Sequence, residues 1–265
     1  MNNILKRNNV NVIGNGAKTM VLAHGFGCDQ NVWNYIVDEF SSDYKLVLFD
    51  YVGAGKSDLS AYDSTRYNSL DGYALDIVEI CRELNLRDAV FVGHSVSSMI
   101  GLLASKMAPE IFGKLIFVGP SPRYLNDEGY VGGFEKTDLD GLLEMMDTNY
   151  LGWSRALAPQ IMGNLDRPEL GESLTNNFCA TDPKIARQFA RVTFLSDNRA
   201  DLKYSAVPSL TLQCSEDIIA PLEVGKYIQQ NTPNNSMVVM KATGHCPHMS
   251  APEETIREMK HFLNN

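Results

Sequence analysis

Residues Ala89 to Met107 constrain the fold more than any other stretch of the chain. Ala89-Val90-Phe91-Val92 is a short apolar run of β-branched and aromatic residues, the composition of a buried strand. It passes through Gly93-His94-Ser95 and continues from Val96 to Met107 with apolar residues at helical spacing. A strand, a sharp turn and a helix with a serine at the tip push the hydroxyl above the sheet edge. The first turn of the helix then aims its free N–H groups and the positive end of its dipole at the same spot. That is where negative charge develops when an acyl group is transferred. The usual pattern for such a turn is G-x-S-x-G. Here the last position is Ser97, small enough for the helix to leave close to the strand. The plainer alternative is a strand-to-helix turn with an ordinary capping serine.

The remaining chain supplies the context. Thr19–Ala23 and Lys45–Phe49 read as buried strands. Leu70–Leu84 reads as an amphipathic helix capped by Ser69, and Lys114–Val118 as another strand. Strands alternating with helices imply a parallel sheet covered on both faces, with ligands at the carboxyl ends of the strands. From about Ser121 to Ser196 the character changes to four helical patterns: Asp138–Met146, Tyr150–Met162, Pro168–Phe178, and a helix opened by Asp182 and Pro183 that runs through Phe194. The alternation then returns with a strand at Ser209–Gln213, a helix at Leu222–Gln230, a strand at Ser236–Met240 and a closing helix from Pro252. The expected division is a core of residues 1–120 and 197–265 with a helical lid at 121–196. Phe134, Leu142, Trp153, Leu157 and Phe194 from the lid, with Ile219 from the core, are the candidates for lining an apolar pocket above Ser95.

Serine is a weak nucleophile unless an imidazole accepts its proton and an anion orients that imidazole. Asp217 follows one late strand and His245 follows the next, which places a serine, an acid and a histidine in order on loops at one sheet edge. Glu216 and His248 compete. Asp217 is preferred because Ile218, Ile219 and Pro221 then lead into a helix, and His245 because Gly244 before it allows close approach. His24-Gly25-Phe26-Gly27 after the first strand reads as a turn offering the N–H of Phe26 as one oxyanion donor, with that of Val96 as the other. His24 itself reads as a loop-holding residue. Gly55-Lys56-Ser57 resembles the end of a phosphate-binding loop, but Asp50 stands where that motif requires glycine.

Composition excludes other classes. A formal net charge of −9, with no block of five like charges, argues against nucleic acid as a partner. No apolar run approaches a membrane span, and Met1–Val10 does not read as a secretory leader. The five scattered cysteines form no C-x-x-C pair, so reduced thiols in a cytoplasmic protein are expected. His245, Cys246 and His248 are too close together to build a metal site alone, and neither metal nor cofactor is expected.

With these residues in place the chain resembles the α/β-hydrolase superfamily over essentially its whole length. Within it, the chain resembles the bacterial RsbQ-type energy-stress regulators and, more distantly, the plant karrikin and strigolactone receptors. The matching stretches are His24–Gln30, Phe49–Gly53, Val92–Val96, Gly119–Asp127 and Gly244–Ser250. The resemblance implies Ser95, Asp217 and His245 as a catalytic triad, Phe26 and Val96 as oxyanion donors, and a V-shaped four-helix lid. It also implies a narrow pocket to which Phe134, Trp153 and Phe194 contribute. Ser97 agrees with the plant-receptor pattern rather than with the glycine expected of the bacterial regulators. Two functions follow as expectations. One is a serine carboxylesterase or lactonase acting on a small apolar substrate. The other is a signalling protein that keeps the same machinery, hydrolyses slowly and docks a sensor-domain phosphatase. Haloalkane dehalogenases and epoxide hydrolases place aspartate at the turn, so Ser95 sets their mechanism aside.

Overall fold

A computed structural model describes residues 3–265. Seven strands form one sheet: β1 (Asn11–Ile13), β2 (Lys18–Ala23), β3 (Tyr44–Leu48), β4 (Ala89–His94), β5 (Phe112–Val118), β6 (Ser209–Glu216) and β7 (Asn235–Thr243). Their order across the sheet is β1-β3-β2-β4-β5-β6-β7. Only β1 runs antiparallel, against β3; every other pairing is parallel. The β1 strand has no counterpart in the sequence reading, because its three residues are all exposed and carry no apolar alternation.

Alternate residues of the inner strands enter separate cores on the two faces. Leu22, Leu46, Val92 and Val118 lie in one; Val21, Val47, Phe91 and Phe117 lie in the other. Strands buried on both faces need near-continuous apolar sequence, which is what β4 and β5 have. The helices in order are α1 (Ile4–Arg7), α2 (Leu70–Glu83), α3 (Val96–Met107), α4 (Lys136–Thr148), α5 (Tyr150–Met162), α6 (Pro168–Ala180), α7 (Pro183–Phe194), α8 (Leu222–Asn231), α9 (Pro247–Ser250) and α10 (Pro252–Leu263). Ser69 does not cap α2 with its side chain. Its hydroxyl donates instead to the Asp71 carboxylate at 3.2 Å. Asp182 does cap α7, accepting from the N–H groups of Lys184 and Ile185.

Helices α4–α7 interrupt the strand–helix alternation between β5 and β6. The two ends of this insertion are tied together where they leave the sheet. Arg123 donates to Asp197 at 2.8 Å, and Arg199 bridges Asp197 and Asp127 at 2.7 and 2.8 Å. The chain's direction across the sheet reverses between β2 and β4, since β3 lies on one side of β2 and β4 on the other. In open parallel sheets this switch point is where a crevice forms at the strands' carboxyl ends. The His24 turn and Ser95 flank it. No helix among the described residues is long and apolar enough to cross a membrane.

Candidate active site

Ser95 sits between β4 and α3 with φ +57° and ψ −125°. A non-glycine residue in this conformation costs about 1–3 kcal/mol and persists only where the surroundings impose it. Here they do: the Ser95 N–H donates to the Val118 carbonyl at 2.8 Å, and the residue is almost fully buried. The side chain is held at the tip of the turn beneath the helical insertion.

His245 reaches Ser95 from the loop after β7. Its Nε2 lies 2.8 Å from Ser95 Oγ, and its Nδ1 lies 2.7 Å from Asp217 Oδ2. The Asp217 carboxylate accepts from the Ile219 and Ala220 N–H groups through its other oxygen, at 2.8 and 3.1 Å. A carboxylate on Nδ1 assigns the ring hydrogen there, so the Nε2 lone pair faces the serine hydroxyl. The Asp217 side chain has no exposed surface, whereas Glu216 points to solvent. The chain therefore brings Ser95, His245 and Asp217 into one hydrogen-bonded line. Two backbone contacts hold the histidine loop: Gly244 N–H to Glu216 O at 2.8 Å and His245 N–H to Ile161 O at 2.9 Å. Gly244 has φ +80°, and a Cβ there would lie 2.0 Å from the Met162 carbonyl. Only glycine lets this loop pass the end of α5.

His248 does not share this geometry. It is fully buried between Trp33 and His94, with ring centroids 4.5 Å from each, and neither of its ring nitrogens has a partner among the described residues. Burial lowers its pKa to about 3, so it is neutral across the working range. His94 is also buried and held well below the ordinary imidazole range, first by desolvation. Its Nε2 lies 2.9 Å from the His245 carbonyl. His24 holds a loop: its Nε2 accepts the Tyr51 N–H at 3.2 Å. No group of three or more His, Cys, Asp or Glu side chains among the described residues is placed to hold a metal.

Above Ser95 lies a cavity of about 30 Å³, lined mainly by Phe26, Tyr124, Phe178, Phe194 and Ile219. Among the described residues, neither the Phe26 N–H nor the Val96 N–H donates to another protein group. Of the six residues read from sequence as pocket lining, only Phe194 and Ile219 border this cavity. Phe134, Leu142, Trp153 and Leu157 border a second apolar cavity of about 50 Å³, of which Phe194 and Ile219 are also a wall. The reason is ring packing. Phe194 stands edge-on to Tyr124 at 5.1 Å and to Phe134 at 6.0 Å, filling the space between the two voids. Tyr124 is the residue the sequence reading gave no role. Its hydroxyl lies 3.5 Å from Ser95 Oγ, and burial raises its pKa, so it remains a neutral phenol. Its stretch stood out in the sequence, but nothing in the spacing pointed the side chain at Ser95.

Residues 20–258 match the Alpha/beta hydrolase family. A karrikin insensitive 2 receptor of Petunia hybrida is 42% identical over 94% of this chain and 92% of its own length. The strigolactone esterase D14 of Arabidopsis thaliana is 37% identical over 98% of both. A hydrolase from Oleispira antarctica superimposes with a TM-score of 0.97 at 43% identity, covering 99% of this chain and 97% of that one. On this similarity, spanning nearly the whole chain, the protein belongs to the alpha/beta hydrolase family.

Proposed function

We propose that this protein hydrolyses small apolar esters or lactones, with Ser95 as nucleophile, His245 as general base and then acid, and Asp217 as the group that orients and stabilises the imidazolium. The observation that carries this reading is the Ser95–His245–Asp217 line of hydrogen bonds, 2.8 and 2.7 Å, opening onto an apolar cavity. Ser95 Oγ attacks the carbonyl carbon while its proton passes to His245 Nε2. The resulting oxyanion is held by the N–H groups of Phe26 and Val96, whose hydrogens have no protein acceptor among the described residues. His245 then protonates the departing alkoxide, leaving an acyl group on Ser95. A water, deprotonated by His245, attacks that acyl group and releases the acid and free Ser95. In this reading residues 121–196 act as a lid on a core made of 1–120 and 197–265. The phenyl rings that line the cavity favour an apolar acyl group or lactone. Five unpaired cysteines suit a reducing compartment such as the cytoplasm.

A second reading rests on the smallness of the same cavity. At about 30 Å³ it is far smaller than an ester substrate, so in this reading binding requires the lining rings to move, and that conformational step rather than the chemistry sets the response. The named relatives include receptors. A ligand-sensing role, with a sensor-domain phosphatase as the docked partner, follows from the RsbQ-type resemblance. Turnover of short-chain nitrophenyl esters by wild type and Ser95→Ala tests the shared chemistry. The substitution is expected to lower kcat by at least about 10³-fold. Unchanged turnover would contradict it.

A further inference from the structure

Ser97, where the elbow pattern has glycine, is fully buried and its hydroxyl is engaged twice. It lies 2.5 Å from the His24 carbonyl oxygen and 2.8 Å from the Tyr51 hydroxyl. A hydroxyl has one hydrogen to give. The His24 carbonyl can only accept, so Ser97 donates to it, and the Tyr51 phenol must donate to Ser97. Burial raises the pKa of that phenol, which keeps its proton in place. The Tyr51 backbone closes the circuit by donating its N–H to His24 Nε2 at 3.2 Å, leaving the His24 Nδ1–H for the Gly25 carbonyl at 2.9 Å. The direction of every hydrogen in this ring is therefore determined, and all of its members are buried.

The ring joins the two segments that hold the proposed oxyanion donors. Ser97 is one residue beyond Val96 on the first turn of α3, and the His24 carbonyl is two residues before Phe26. The segments also touch directly: a Cβ on Gly25 would lie 2.5 Å from His94 Nδ1 and 3.3 Å from Ser95 Cβ. Close packing against the strand falls on another glycine, Gly93, whose Cβ would meet the Ser97 carbonyl at 2.5 Å. The Ser97 side chain is consequently free to face the His24 loop.

We infer that Ser97 is a positioning residue: its hydroxyl, supported by Tyr51, sets the distance between the Phe26 and Val96 N–H groups so that both fit the oxyanion of the transition state. This rests on the reading of Ser95 as nucleophile. Losing one oxyanion donor outright costs about 10²–10³-fold in kcat, and letting one drift costs less. The test uses the full-length wild type, Ser97→Ala, Tyr51→Phe, the double variant and Ser95→Ala, with 4-nitrophenyl acetate as substrate and phenylboronic acid as a tetrahedral mimic. Ser97→Ala is expected to lower kcat about tenfold with KM held within about twofold, and to weaken the boronic acid by the same factor as kcat. Tyr51→Phe is expected to lower both about threefold, and the double variant to be no worse than Ser97→Ala, because the two hydroxyls act in series. Unchanged kcat and boronic acid affinity in the single variants would overturn the inference, even if their melting temperatures fell. Should Ser97→Ala fail to fold, Tyr51→Phe alone decides by the same two readouts. Turnover persisting in Ser95→Ala would overturn the underlying reading instead, a result distinct from the first.

Discussion

The sheet edge and the helical insertion meet at Ser95, yet they are built on opposite principles. On the sheet side the three residues of the proposed triad are held by directed contacts: Ser95 by its backbone bond to Val118, Asp217 by two N–H donors, His245 by Asp217 and by the Ile161 carbonyl. On the insertion side the walls are rings. Phe178 and Phe194 surround Phe26 in edge-on contacts at 5.6 and 6.2 Å, with no hydrogen bond to fix any of the three side chains. Directed bonds tolerate displacements of a few tenths of an ångström poorly, whereas aromatic contacts are broad and can re-form after a shift. In the proposed function this difference would give bond-breaking to the side held by directed contacts and the choice of substrate to the side walled by rings.

The comparison breaks most visibly on the sheet side. Asp217→Asn keeps the shape of the site but offers an amide where Nδ1 needs an anion. It is expected to lower kcat by about 10³–10⁴-fold with little change in KM, measured on a short-chain nitrophenyl ester. A loss of less than about tenfold would mean that the carboxylate does not orient His245. On the insertion side the expected effect is smaller and of another kind. Phe194→Ala removes the wall between the two cavities. It is expected to shift preference from acetyl towards butyryl or hexanoyl esters by about tenfold in relative kcat/KM. Truncating a buried phenylalanine also costs up to about 3–5 kcal/mol of stability, so activity is compared per folded molecule. An unchanged chain-length profile would show that the partition lies elsewhere.

The smallest effect tests whether the layer behind the site matters for stability alone. His248 is neutral in the folded protein down to about pH 3, while an exposed imidazole in the unfolded chain takes up a proton below about 6.5. Its contribution to stability is complete above pH 6.5 and is lost progressively as pH falls from there towards 3. His248→Phe is expected to leave turnover at pH 7.5 within about twofold. It should flatten the fall in unfolding free energy between pH 6 and 4 by about 1.4 kcal/mol per pH unit. An unaltered slope in denaturant titrations would show that His248 is protonated, or exposed, in the native state.

How far this division was legible in sequence differs between the two sides. The strands β2 to β7 announce themselves as apolar runs, and Ser95, Asp217 and His245 each follow one, so their convergence is a consequence of topology. The inner wall is different. Whether Trp153 or Phe194 borders the cavity depends on which rotamer each ring takes against its neighbours, and helical spacing carries no such information. The role of Ser97 was equally out of reach, because its partners His24 and Tyr51 lie 73 and 46 residues away in the chain. The edge strand β1 escaped for a simpler reason: three exposed residues cannot show a period.

The central claim, that Ser95 is the nucleophile, is tested most directly by intact-protein mass after exposure to a small sulfonyl fluoride, with peptide mapping of the product. Wild type is predicted to gain one sulfonyl group located on Ser95, and Ser95→Ala to gain none. His245→Ala should react far more slowly than wild type, since it cannot accept the serine proton. A single adduct that persists in Ser95→Ala, or maps to another residue, would contradict the account.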